Sequence, residues 1–327
     1  MSIIMVLSFV NSTTDLFSIP KGWAKPVYDF SKNPLTKEKI ALGRALFYDP
    51  ILSKDNTISC ASCHLSYTAF THIDHDLSHG IKGRIGTRNS PALMNLAWNT
   101  SFMWDGSIRH LDMQALAPIT NADEMDETLP NVISKLQKST IYPTYFKHAY
   151  GDTAITGERM LKAISQFMLT LVSANSKYDK ILRGDKNISF TEYELKGYDL
   201  FKKNCASCHK EPLFTNYAFE NNGLEPDKTL LDAGRMKVTQ RLEDSLKFKV
   251  PTLRNIEVSY PYMHDGRFKS LQMVLFHYTE TIYHSATLSK KLKNKMILSE
   301  KDKTNIIAFL KTLTDEDFLH NPEFQYH

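Results

Sequence analysis

The chain has 327 residues, 40 of them basic and 36 acidic, for a formal charge of +4, and is 42% hydrophobic and 11% aromatic. So even a balance of charge excludes the basic footprint of a nucleic-acid-binding protein, and no apolar stretch is long enough to span a bilayer. The length exceeds the range in which one core keeps growing, so two domains are expected.

Residues 1–30 form an N-terminal segment. Its apolar run from Ile3 to Val10 reads as the end of a signal peptide's apolar region, without the basic residues that normally precede it. Next comes Gly43-Arg-Ala-Leu46-Phe47, then Cys60-Ala-Ser-Cys63-His64, then Phe70-Thr71. The run Phe102-Met103-Trp104-Asp105-Gly106 follows. Thr156 can cap a helix with Met160, Leu161, Ile164, Phe167, Met168 and Leu171 on one face. Residues 183–187 read as a linker, and Thr191 with Glu194 reads as a capping box.

The order then repeats. Gly197-Tyr-Asp-Leu200-Phe201 precedes Cys205-Ala-Ser-Cys208-His209, Phe214-Thr215 follows, and Tyr262-Met263-His264-Asp265-Gly266 answers the run at 102. Leu111 and Leu271 stand at the same offset beyond the two runs. Matches in the same order predict a mostly α fold with two cytochrome c-like haem domains related by internal duplication, 31–184 and 185–327. Ser299 with Asp302 starts a final helix carrying Ile306, Ile307, Leu310 and Leu313. The lysines at 290, 291, 293 and 295 read first as a solvated helix face and second as a docking face for an acidic partner.

Cys-x-x-Cys-His is the attachment signature of c-type haem. The two thiols add to the porphyrin vinyl groups and the histidine becomes the proximal iron ligand. Two copies predict two covalently bound c-type haems, on Cys60, Cys63 and His64 and on Cys205, Cys208 and His209, and they use all four cysteines of the chain. The competing reading, one four-cysteine zinc site, leaves the histidine after each pair unexplained. Attachment of c-type haem in bacteria takes place outside the cytoplasmic membrane, which places the protein in the periplasm.

The flanking runs narrow the reading. Gly86-Thr-Arg88-Asn89-Ser-Pro91, the Trp104 run, Gln114-Ala-Leu-Ala-Pro118, Glu124-Met125, Pro251-Thr-Leu-Arg254-Asn255 and Pro261-Tyr-Met-His264-Asp-Gly266 together resemble the bacterial diheme cytochrome c peroxidase family, MauG-type enzymes included. The resemblance spans roughly residues 35 to 315. It implies a C-terminal helix packing back on the first domain, and a calcium ion held by the Asn89 side chain and the carbonyls of Ser259 and Pro261. Oxygen-only ligation suits that hard cation. A homodimer is in keeping with the family.

The resemblance also assigns roles. The first haem is the peroxidatic one, with Glu124 as acid–base group, Gln114 as distal hydrogen-bonding residue and Pro118 shaping the pocket. Trp104 is an electron relay to the second haem. Without the family, Glu124 reads as a solvated carboxylate and Trp104 as a core tryptophan. Ordinary peroxidases place methionine as sixth ligand of the second haem; here that position is Tyr278, as in MauG-type members, with His277 and Met273 as substitutes. Tyr278 also lies on the helical stripe of Leu271, Val274 and Leu275, where a core tyrosine is the plain alternative. The histidine that blocks the first haem in ordinary peroxidases is replaced by Ile81, with His79 two residues earlier and His72 and His75 nearby. Either His79 takes that role through a shifted loop or the face stays open, and the open reading is preferred.

The expected function is periplasmic reduction of hydrogen peroxide with electrons from a small cytochrome c or cupredoxin. A MauG-like oxidase acting on a protein substrate and a non-catalytic diheme electron carrier are the alternatives.

Overall fold

The computed structural model describes residues 16–325, so the signal-peptide reading of 3–10 lies outside the described residues. The protein is mostly helical. Helix α1 (Lys37–Tyr48) leads into the first Cys-x-x-Cys-His turn, and short α2 (Leu111–Gln114) and α3 (Leu116–Thr120) follow the Trp104 run. Then come α4 (Leu129–Lys138), α5 (Tyr142–Tyr150), α6 (Gly157–Thr170) and α7 (Lys177–Arg183). Helix α8 (Glu192–Asn204) enters the second haem motif, and α9 (Met236–Thr239), α10 (Leu271–Glu280), α11 (Glu300–Lys311) and α12 (Glu316–Leu319) complete the set. The only sheet among the described residues is one antiparallel pair, β1 (Phe219–Glu220) with β2 (Phe248–Lys249).

Local chemistry sets the helix starts. The Thr156 hydroxyl accepts the Arg159 N–H. Thr191 with Glu194 and Ser299 with Asp302 form reciprocal capping boxes, satisfying donors that have no partner inside the helix. On α6 the expected face is buried, from Met160 to Met168, with Leu171 buried just beyond. Helix α7 ends at Gly184, which adopts φ +80° within the expected linker.

Each haem motif is approached by a helix crossing another at backbone contact. A Cβ on Gly43 of α1 would lie 1.8 Å from the Ala163 carbonyl oxygen of α6, and one on Gly197 of α8 would lie 1.9 Å from the Asn305 carbonyl oxygen of α11. Only glycine permits these crossings.

Two apolar cores result. The first gathers Leu42, Leu46, Phe47, Phe70, Ile164 and Phe167. The second gathers Tyr178, Phe201, Phe214, Leu275 and Phe309, with Tyr178 and Phe214 edge-on at 4.9 Å. Arg254, fully buried, holds Asp179 of α7 through two 2.8 Å hydrogen bonds, so α7 is tied to the second core. A charge buried this deeply needs a partner, and this two-pronged pairing supplies it. The helix begun at Ser299 stays on the second core; it is the short α12 after it that returns to the first, where Phe318 meets Phe70 at 6.0 Å.

Candidate haem sites

Both Cys-x-x-Cys-His motifs fold as a tight turn that aims the histidine. In the first, the Cys63 and His64 N–H groups both donate to the Cys60 carbonyl, and Ser59 and Ser62 close a reciprocal cap. The His64 Nδ1 lies 2.7 Å from the Phe70 carbonyl, which fixes the proton on Nδ1 and leaves Nε2 as a lone-pair donor. In the second, the Cys208 and His209 N–H groups donate to Cys205, and His209 Nδ1 sits 3.2 Å from the carbonyls of both Phe214 and Pro251. Burial holds each imidazole down at about 4, so both are neutral, as an iron ligand must be. Burial pushes the Cys60 and Cys205 thiols up to about 12, and none of the four cysteines is in a disulfide. Because Cys60 packs on the first core and Cys205 on the second, the four thiols do not converge on a single zinc.

Beside the second motif lies a cavity of about 520 Å³. Cys205, Cys208, His209 and Tyr278 line it, and so do Trp104, Gln114, Asn89, Ser259 and Pro261. Two thiols and one free imidazole nitrogen are the donor set of a covalently attached haem, and the Tyr278 phenol lines the same cavity. Of the three sixth-ligand candidates, only Tyr278 faces this cavity. Both nitrogens of His277 are engaged, by Thr281 and by the Asn222 carbonyl, and Met273 is 42% exposed. Burial pushes the Tyr278 phenol up to about 12, against a hydrogen bond with the Asn222 side chain that lowers it.

The two matched turns meet at Asn89. Met103 and Gly106 in one turn, and Met263 and Gly266 in the other, share positive φ. The Trp104 indole N–H donates to the Asn89 carbonyl at 2.8 Å, while the Asn89 N–H donates to the His264 carbonyl at 2.7 Å. The Asn89 side chain donates to the Asp76 carbonyl. His264, which takes the place of Trp104, stacks on Phe248 at 3.7 Å.

Glu124 stands with the first motif. Ile81 N–H donates to the Glu124 carbonyl, the His79 carbonyl lies 3.4 Å from Cys63 Sγ, and the Glu124 charge is felt by both Cys60 and Cys63. Burial raises the Glu124 carboxyl above its ordinary range, with Asp123 adding to the rise and Asn121 opposing it through a 2.8 Å hydrogen bond. Pro118 borders this segment, its carbonyl accepting the Met125 N–H. Gln114 lines the cavity with Trp104, whereas Glu124 and Pro118 are not among its lining residues. The His79 ring lies tilted against that of His75 at 3.9 Å, and Ile81 is fully buried.

Two cavity residues had no sequence signal. Lys249, drawn down to about 8 by burial, donates to the Ser101 carbonyl, and Met296 reaches the cavity from the loop before α11. Both arrive through long-range packing rather than any motif.

Comparison with known proteins gives the geometry its place. Residues 37–187 match the family described as di-haem cytochrome c peroxidase, and residues 195–314 match cytochrome c. The chain is 36% identical to the methylamine utilization protein MauG of Methylorubrum extorquens, over 93% of this chain and 87% of that protein. It is 37% identical to cytochrome c551 peroxidase of Nitrosomonas europaea, over 89% and 83%. A solved MauG-like protein, described as associated with microbial copper homeostasis, superposes with a TM-score of 0.84 at 31% identity, over 94% of this chain and 98% of that one. The diheme peroxidase BthA of Burkholderia thailandensis shares the fold at 20% identity, with a TM-score of 0.75 over 89% and 90%. The chain therefore belongs to the di-haem cytochrome c peroxidase family of oxidoreductases, and its two Cys-x-x-Cys-His turns are the places where that family carries c-type haem.

Proposed function

We propose that the protein is a periplasmic di-haem peroxidase that reduces hydrogen peroxide to water with electrons from a small cytochrome c or cupredoxin. The observation that carries this reading is Glu124, whose carboxyl is raised by burial and whose carbonyl accepts the Ile81 N–H in the segment beside the first haem-attachment turn. No helix among the described residues is long and apolar enough to cross a membrane. The chain is read as two haem units, 31–184 and 185–327, arisen by duplication. The paired glycine crossings and the paired turns support that origin.

When bound, the haem on His64 supplies an iron that takes peroxide oxygen and passes on two electrons. The residues supply the rest. Glu124 Oε accepts the proton of one peroxide oxygen and returns it to the other, which leaves as water; two electrons and two further protons from solvent turn the remaining oxygen into the second water. Asn121 Nδ2 orients that carboxyl. Gln114 holds the distal side. The Trp104 indole, fixed by the Asn89 carbonyl, relays electrons from the second haem. Ile81 in place of a blocking histidine leaves the first site open. Calcium held by Asn89, Ser259 and Pro261, which share one cavity, would brace the same junction. Homodimerisation belongs to this reading as well.

The all-ferric protein should show high-spin iron at the first haem and react with peroxide without prior reduction. A purely low-spin spectrum would overturn the open site.

Lysines crowd the second haem. Lys291 Nζ lies 3.4 Å from Cys208 Sγ, and Lys203 and Lys295 line the same cavity. Glu220 and Glu280 offset part of this charge. The donor should therefore present an acidic face, and its turnover should slow steeply as salt rises. Turnover insensitive to salt counts against acidic docking.

A MauG-like oxidase acting on a protein is the second reading, favoured by Tyr278 facing the cavity. Steady peroxide turnover with a reduced donor protein separates the two.

A further inference from the structure

The loop from Thr71 to Gly80 carries three histidines that the peroxidase reading leaves without a role. His72 is buried, 9% exposed, and its Nε2 faces His75 Nδ1 at 3.4 Å. The His75 ring lies 4.8 Å from that of His72 and 3.9 Å from that of His79. His75 itself opens to solvent. The Cys63 Sγ and the Asn89 side chain reach this loop at the carbonyls of His79 and Asp76, not at its imidazole rings.

The spacing is informative. A direct N–H···N hydrogen bond is ordinarily near 3 Å, so 3.4 Å is long. Two nitrogens on one tetrahedral zinc, each about 2.0–2.1 Å from the metal, stand about 3.3–3.4 Å apart. The second nitrogen of His72, Nδ1, is buried with no hydrogen-bond partner, so no hydrogen bond at that atom fixes the ring. Burial, with the neighbouring imidazoles, holds His72 below the ordinary histidine range despite Asp74, and burial with His75 does the same for His79, which favours the neutral, ligating form.

We propose that His72, His75 and His79 form a site for one divalent transition cation of the zinc class, separate from both haem irons. Among the described residues no three such side chains already close on one point. His72 and His75 supply the preformed edge, His79 joins by rotating away from its tilted contact with His75, and water fills the fourth position. The ion would pin the loop that lies against Cys63 and that receives the Asn89 side chain at Asp76.

The test uses the chelator-treated holoprotein titrated with zinc chloride. Calorimetry should show one ion per chain with a dissociation constant in the micromolar range or tighter. X-ray absorption at the zinc edge, where haem iron is silent, should show imidazole nitrogens at about 2.0 Å. His75→Ala, at an exposed position, should keep the haem spectrum and weaken binding at least ~10-fold. His79→Ala should do the same. Absence of zinc binding in the parent protein overturns the site. So does binding that both variants retain in full, or an edge spectrum with oxygen ligands alone.

Discussion

Glu124→Gln is expected to keep both haems attached and to lower peroxide turnover by about two to four orders of magnitude, the usual worth of a positioned proton-transfer group. The substitution is nearly isosteric, and the amide oxygen can still accept the Asn121 hydrogen bond. Loss of activity would thus not report loss of fold. The pH dependence carries a sign. As a base Glu124 must be ionised, and burial raises its titration above the ordinary carboxylate range. Parent turnover should therefore fall as pH drops through that raised value. Stability runs the other way. A group whose folded pKa is raised contributes fully below its unfolded value and loses that contribution as pH rises through the folded one. The variant should be at least as stable as the parent at neutral pH, measured by denaturant midpoint. Unchanged steady-state kinetics in Glu124→Gln would remove this residue from the mechanism.

Tyr278→Met is expected to raise the reduction potential of the second haem by on the order of 100 mV or more, because axial ligation spans most of the range open to haem proteins. The phenol is pushed up to about 12 by burial, so at neutral pH it stays protonated unless a cation faces it. Ferric iron is such a cation, and it reverses the local preference. A tyrosinate stabilises the higher oxidation state, whereas methionine favours the reduced one. Potentiometric titration of the parent, Tyr278→Met and Tyr278→Phe reads this directly. A potential and spectrum unchanged in Tyr278→Phe would take ligation away from Tyr278 and give it to another donor lining the cavity, such as the Met296 sulfur.

Much of this arrangement was legible in the chain because the signals were local. Thr156, Thr191 and Ser299 each announce a helix within four residues, and the haem turns are written in five. The order of the repeated runs anticipated two matched turns, since a glycine at the same offset supplies the same positive φ in each. The contacts that cross the chain were not legible. Nothing near Arg254 in sequence points to Asp179, and nothing around Lys249 or Met296 points to the cavity, because burial of those groups is decided by segments far away. The return of α12 instead of α11 to the first core is of the same kind. So is the meeting of His72, His75 and His79: a loop's composition names its residues, but only its path sets their rings side by side.

Asn89 has a consequence for how the two halves communicate. Its carbonyl grips an indole from one half, its amide is gripped by a turn of the other, and its side chain is fastened to the histidine-bearing loop. Three segments are thus fixed to one residue. A shift in any of them is a shift in the hydrogen bond on Trp104, so a rearrangement in one half has a short mechanical path to the other, travelling through a single residue.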